Sequence, residues 1–192
     1  MFWLFIENKK LKDVKMNDSS KIDMNKINSD YRWVEYFFKL CNVISEKSKD
    51  PSTKVGCIIA NSGHSIVSTG YNGFPIGVKD DLMDFSECKI KKSKRYERPE
   101  KYFWTAHAEE NAIALAARNG TSLNGTILYV NRMMPCTRCT RLIIQSGIKK
   151  VCVYVDAPAE TIERWKEEND IAETMMDEAG VELVVLTKPD KK

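Results

Sequence analysis

Strands alternating with amphipathic helices predict an α/β protein whose sheet is covered by helices on both faces. Three observations carry that prediction. Helical periodicity and β-branched apolar runs alternate from His107 to Leu186. Glycines stand where the helices should stop, at Gly120, Gly147 and Gly180. No apolar run approaches the ~20 residues needed to cross a bilayer. At 192 residues, with 43% hydrophobic and 30% charged side chains, the chain can bury the core of one domain and is not disordered.

The elements follow in order. Residues 1–29 form a Lys/Asn/Asp/Ser-rich lead-in with little periodicity, expected to be a peripheral extension to a domain at 30–188. From Tyr31, capped by Ser29 or Asp30, Val34, Phe37, Phe38, Cys41 and Ile44 recur at helical spacing. That helix ends before Asp50-Pro51, because a residue preceding proline avoids the α region. Val55–Ala60 and Ser65–Gly70 read as strands of a hairpin turning at Asn61-Ser62-Gly63.

A long irregular stretch follows from Tyr71 to about Phe103, with Asp80, Asp81, Asp84 and Glu87 ahead of a Lys89–Arg98 basic cluster. A loop of that length is functional, mobile, or a solvated insertion. Then come a helix at His107–Asn119, a strand at Thr126–Val130, a helix at Pro135–Ser146 and a strand at Val151–Val155. A helix from about Glu160 to Ala179 and a strand at Val181–Leu186 complete the pattern, with no repeats.

Charge and cysteine usage narrow the function. Thirty basic and 27 acidic residues leave a net charge of +3, too small to imply nucleic acid. The six cysteines sit in a long, lysine-rich chain. The greasy start Met1–Ile6 is too short for a signal peptide, with no positive residue before it and no small-residue cleavage site after it. A reducing, cytoplasmic setting is expected, where a close Cys pair binds metal more readily than it forms a disulfide. Cys41, Cys57 and Cys152 fall at core positions, Cys88 reads as a free thiol, and His64 as an exposed residue at the hairpin tip.

Two motifs carry chemistry. His107-Ala108-Glu109 opens one helix, and Pro135-Cys136-Thr137-Arg138-Cys139 opens the next. Cysteines three apart share a helix face, and the positive end of the helix favours their thiolate, metal-binding form. One imidazole and two thiolates make a catalytic zinc site with an open fourth position. Glu109 is the carboxylate placed to handle protons beside it, since it points away from the ligand two residues earlier. Taken alone, Cys-x-x-C also fits a structural zinc or a redox pair.

H-x-E followed by P-C-x-x-C is the signature of zinc nucleobase deaminases. The flanking strings Ser48–Gly56, Gly70-Tyr71-Asn72-Gly73-Phe74-Pro75, His107–Ile113 and Pro135–Ile148 resemble the deoxycytidylate (dCMP) deaminase family over residues 31–186. The resemblance implies a cytidine-deaminase-like three-layer α/β/α sandwich with a five-stranded mixed sheet. It implies Zn²⁺ on His107, Cys136 and Cys139, Glu109 as proton shuttle, and hydrolysis of dCMP to dUMP for dTTP synthesis.

The same resemblance places Thr53, Val55 and Ala108 against the base and Asn72 near the deoxyribose hydroxyl. Lys49, Tyr71 and Gly73 are candidates for phosphate or for allosteric dCTP and dTTP, with Mg²⁺ accompanying the triphosphate. A homo-oligomer, hexamer or dimer, is also implied, with no membrane or nucleic-acid partner. Where many relatives carry a tyrosine near the substrate phosphate, this chain reads Asp156-Ala157-Pro158-Ala159, with Trp165 the nearest aromatic. Two other readings compete: a deaminase acting on a different cytosine compound or on a base in tRNA, and a catalytically silent nucleotide-binding module.

Overall fold

A computed structural model of the chain describes residues 5–6, 24–79, 83–84, 89–90 and 94–187. Its elements run β1 (Phe5–Ile6), α1 (Met24–Ser45), β2 (Gly56–Ala60), β3 (Ile66–Tyr71), β4 (Met83–Asp84) and β5 (Lys89–Ile90). They continue with α2 (Lys101–Trp104), α3 (Ala108–Arg118), β6 (Ile127–Arg132), α4 (Thr137–Gln145), β7 (Lys150–Val155), α5 (Ala159–Arg164), α6 (Lys166–Glu178) and β8 (Glu182–Thr187).

The expected five strands form a mixed sheet in the order β8-β7-β6-β2-β3, and the two-residue β1 adds to the β8 edge. Strands β6, β7 and β8 are parallel, whereas β2 runs antiparallel to both β6 and β3. The direction change between β6 and β2 puts the C-terminal end of β6 beside the start of β2. Open α/β sheets place their ligand crevice at the carboxyl ends of parallel strands, and this one does the same.

Strand periodicity sorts the core into two layers. Cys57 and Ile59 of β2, Leu128 and Val130 of β6, and Val151 and Val153 of β7 face Ala112 and Ala116 of α3, Ile143 of α4, and Ala172 and Met176 of α6. The alternate residues Ile58, Ala60, Tyr129 and Cys152 face Phe37, Phe38 and Cys41 of α1. Strands buried on both faces need apolar residues throughout, which is why these runs show little polar alternation. Phe37 stacks on Tyr129 at 4.5 Å between ring centroids, fixing α1 across the sheet centre. The three core cysteines are fully buried, as expected.

Several boundaries differ from the sequence reading. Helix α1 begins at Met24 rather than Tyr31, running through Ser29 and Asp30, because those residues cost a helix interior only a few tenths of a kcal/mol. It therefore crosses the expected boundary at residue 30. The single helix expected at 160–179 is two, broken at Trp165 (φ −100°, ψ 6°), whose ring turns toward Tyr102 in an edge-on pair at 6.0 Å. His64 is half-buried rather than exposed: it stacks on Trp33 at 4.4 Å with rings 10° from parallel. Cys88 lies outside the described residues.

Helix α3 lies unusually close to β3. A Cβ at Gly70 would stand 2.2 Å from the Ala108 carbonyl oxygen and 2.5 Å from the Ala112 nitrogen. Backbone cannot yield locally there as a side chain would, so overpacking reaches or exceeds the upper end of its usual 1–3 kcal/mol range. Gly70→Ala is expected to lower the stability measured by urea unfolding by about 3 kcal/mol, whereas Gly63→Ala, at the hairpin tip, changes it by less than about 1 kcal/mol.

Candidate active site

Helices α3 and α4 begin at almost the same point in space. His107 is the N-cap of α3 and Cys136 the N-cap of α4, both in extended conformation, with Cys139 in the first turn of α4. His107 Nδ1 lies 3.3 Å from Cys136 Sγ and 3.4 Å from Cys139 Sγ. All three donor atoms fall within 4.8 Å of one another. Pro135 therefore precedes the cap rather than opening the first turn. Among the described residues this is the one cluster of donor groups able to hold a metal ion.

The three groups shift one another's proton affinity strongly. Hydrogen bonding from Cys139 holds the Cys136 thiol well below its ordinary range, against burial and with help from His107. The same contact, together with burial, pushes Cys139 far up. Burial pulls the His107 imidazolium down, but the Cys136 hydrogen bond and the nearby carboxylates outweigh it and leave it at about 9. Two thiols and an imidazole held this close suit a borderline-soft dication that replaces their protons, and zinc fits that donor set.

Glu109 sits in the first turn of α3, 4% exposed, and lines the same cleft as His107 and Cys136. Burial pushes its carboxyl up to about 7, with the charge on His107 opposing. Ala108, fully buried beside it, contributes to the cleft floor.

The opposite wall hangs on Asp50. One carboxylate oxygen accepts from Ser52 N (2.8 Å), Ser52 Oγ (2.8 Å) and Thr53 N (3.1 Å). The other accepts from Lys101 Nζ at 2.8 Å and from Asn72 Nδ2 at 3.4 Å. Asn72 extends the network: its Oδ1 accepts from Val55 N at 2.8 Å and its Nδ2 donates to the Thr53 carbonyl at 2.9 Å. The segment from 50 to 55 is thus shaped by buried polar side chains rather than by secondary structure. Gly73 pairs with Ala106 across backbone bonds of 3.0 and 2.9 Å, which brings the Asn72 loop against the start of α3.

The structure brings Thr53, Val55, Asn72, His107, Ala108, Glu109 and Cys136 into one cleft, with Cys139 beneath it. Lys49, Tyr71 and Gly73 do not line it; Lys49 and Tyr71 are exposed. Of the basic cluster, Arg98 lines the cleft, whereas Arg95 stacks on Trp104 at 4.3 Å from the ring centroid. Sequence reasoning missed Lys101, Thr105 and Asn169 in the lining and the organising role of Asp50. Asp50 had a signal, an Asp-Pro-Ser-Thr string suited to side-chain-to-backbone bonds, but Lys101 sits in a charged stretch that offers none.

The class that this sandwich and His-Cys-Cys donor set define is that of the nucleobase deaminases. The chain belongs to the cytidine and deoxycytidylate deaminase family, whose zinc-binding-region model matches residues 31–155. It is 35% identical over 162 residues to the deoxycytidylate deaminase of Pongo abelii, covering 84% of each chain. It is 40% identical over 151 residues to a probable deoxycytidylate deaminase of Drosophila melanogaster, covering 78% of this chain and 70% of that one. A crystal structure of the dCMP deaminase of cyanophage S-TIM5 in complex with dCMP and dUMP is similar at a TM-score of 0.57 and 26% identity. That likeness covers 79% of this chain and 94% of the other.

The buried Asp50–Lys101 pair makes the cleft wall acid-sensitive. Burial alone would raise the Asp50 carboxyl, but Lys101 and the Ser52 bonds outweigh it and hold it below its ordinary 3.8. A depressed folded-state pKa stabilises the fold above the unfolded value, and that contribution is lost as pH falls through the lower folded value. Asp50→Asn leaves Lys101 buried without its counter-charge and is expected to cost about 3–5 kcal/mol at pH 7. The gap between variant and wild type, read by chemical unfolding, should narrow below about pH 4.

Proposed function

We propose that the chain is a zinc-dependent dCMP deaminase that hydrolyses the C4 amino group of the base, releasing ammonia and dUMP for dTTP synthesis. The observation carrying this reading is the meeting of three soft donors within 4.8 Å below a cleft that buried Glu109 also lines. His107, Cys136 and Cys139 would hold the zinc, which supplies a Lewis acid that makes water acidic near neutral pH. Because the thiolates offset the charge of the dication, proton transfer falls to the protein.

Glu109 takes a proton from the attacking water and delivers it to N3 of the pyrimidine as C4 is attacked. It then carries the proton of the new C4 hydroxyl to the amino nitrogen, which departs as ammonia. The base lies against Thr53, Val55 and Ala108, and the deoxyribose hydroxyl near Asn72. Arg98 supports a monophosphate substrate: it lines the cleft and has no ion-pair partner among the described residues, whereas Lys101 is tied to Asp50.

The reading keeps 30–188 as the catalytic domain and 1–29 as an extension whose last residues, from Met24, form the first turns of α1. It keeps dCTP and dTTP as effectors of a cytoplasmic homo-oligomer. Lys49 and Tyr71, exposed and off the cleft, would meet an effector without displacing substrate.

An ammonia-release assay over cytosine, deoxycytidine, dCMP and dCTP, with and without dCTP or dTTP as effector, tests the reading; dCMP should be preferred. Glu109→Gln should keep stoichiometric zinc and lose at least about 10³-fold in kcat, and activity within tenfold of wild type would overturn its role. Arg98→Ala should raise the KM for dCMP about tenfold, as expected for losing a charge-assisted bond, and leave deoxycytidine turnover unchanged.

A further inference from the structure

The two residues between the metal-ligand cysteines are each held by a carboxylate from a different helix. Arg138 Nε lies 2.8 Å from Glu110 Oε1, and Arg138 Nη2 donates to Glu110 Oε2 at 2.8 Å, a two-pronged bridge from α4 to α3. Glu110 Oε2 also accepts the backbone N–H of His107 at 2.7 Å. On the other side, Glu168 Oε1 of α6 accepts both the backbone N–H of Thr137 at 3.1 Å and its Oγ1 hydroxyl at 3.0 Å.

The arrangement answers a problem that the donor set creates. The first N–H groups of a helix have no partner within it, and an N-cap side chain ordinarily accepts from one of them. Here the N-cap of α3 is an imidazole, which shares a capping box with Glu110, and the N-cap of α4 is a thiol that makes no capping hydrogen bond. Glu110 closes the start of α3 from within its first turn, Glu168 of α6 closes the start of α4 from outside, and their negative charge suits the positive helix ends.

We propose that Glu110–Arg138 and Glu168–Thr137 form a two-point clamp that positions Cys136, Cys139 and His107 for zinc. They are positioning residues, acting on the metal through the backbone of its ligands. Because Glu168 adjoins Asn169 and is three residues from Trp165, both in the cleft lining, the clamp also ties the substrate wall to the metal. The inference rests on the zinc reading above.

The test measures zinc dissociation constants by competition with a chromophoric chelator, using the full chain and the variants Arg138→Ala, Glu110→Gln, Glu168→Ala and the pairwise doubles. Outer contacts of metal ligands typically change affinity 10–100-fold. Each single variant should therefore weaken zinc binding about tenfold. Glu110→Gln with Arg138→Ala should be no worse than either alone, while Glu168→Ala should add to both.

Thermal unfolding with and without zinc separates positioning from general support: the variants should shrink the rise in Tm that zinc produces. Equal losses of Tm in both conditions, with unchanged affinity, would overturn the clamp. Multiplying losses for Glu110 and Arg138 would also overturn it as a unit. A wild-type chain that fails to bind zinc would instead sink the reading beneath it.

Discussion

The whole arrangement depends on two helices starting at one place. The first residues of α3 and α4 must converge so that one imidazole nitrogen sits between two sulfurs, at 3.3 and 3.4 Å. Like helix ends repel electrostatically, since both present positive dipoles and unpaired N–H groups. Nothing in a hydrophobic core favours such an encounter, so it must be held by negative charge at the meeting point. The chain supplies the Cys136 sulfur and the carboxyl groups of Glu109, Glu110 and Glu168 there, an accumulation of acidic groups that would be costly to bury without a counter-charge.

The sheet makes that convergence possible. Helix α3 is pinned by contact with a glycine of β3, and α4 follows directly from the end of β6. Their separation is therefore set by the strand order β3-β2-β6, two spacings of roughly 4.8 Å each. The chain reversal from β6 to β2 opens the crevice between them. Asn131, at the end of β6, secures the seam: its Oδ1 accepts from Gly56 N at 2.7 Å and its Nδ2 donates to Asn42 Oδ1 of α1 at 2.7 Å.

What was legible in the sequence and what was not divide along physical lines. The meeting of His107, Cys136, Cys139 and Glu109 at one place was readable because fixed spacing on a helix start translates directly into geometry. The core strands were readable because burial on both faces demands continuous apolar runs. The start of α1 was not, since Ser29 and Asp30 serve equally as caps or as tolerated interior residues. Nor was the break at Trp165, whose ring meets Tyr102, an aromatic partner 63 positions earlier in the chain. The Asp50 hub and the Glu168 contact share that character: both join residues distant in sequence, and neither leaves a periodic trace.

One feature of the cleft wall reaches further than the cleft. The segment after Gly73 is fastened at two points, by Phe74 stacking on Tyr96 at 4.5 Å and by Lys101 pairing with Asp50. Lengthening a linker costs only about 0.6 kcal/mol per doubling. A change of chain length between these two anchors therefore costs the cleft wall little, because each anchor is held by its own partner.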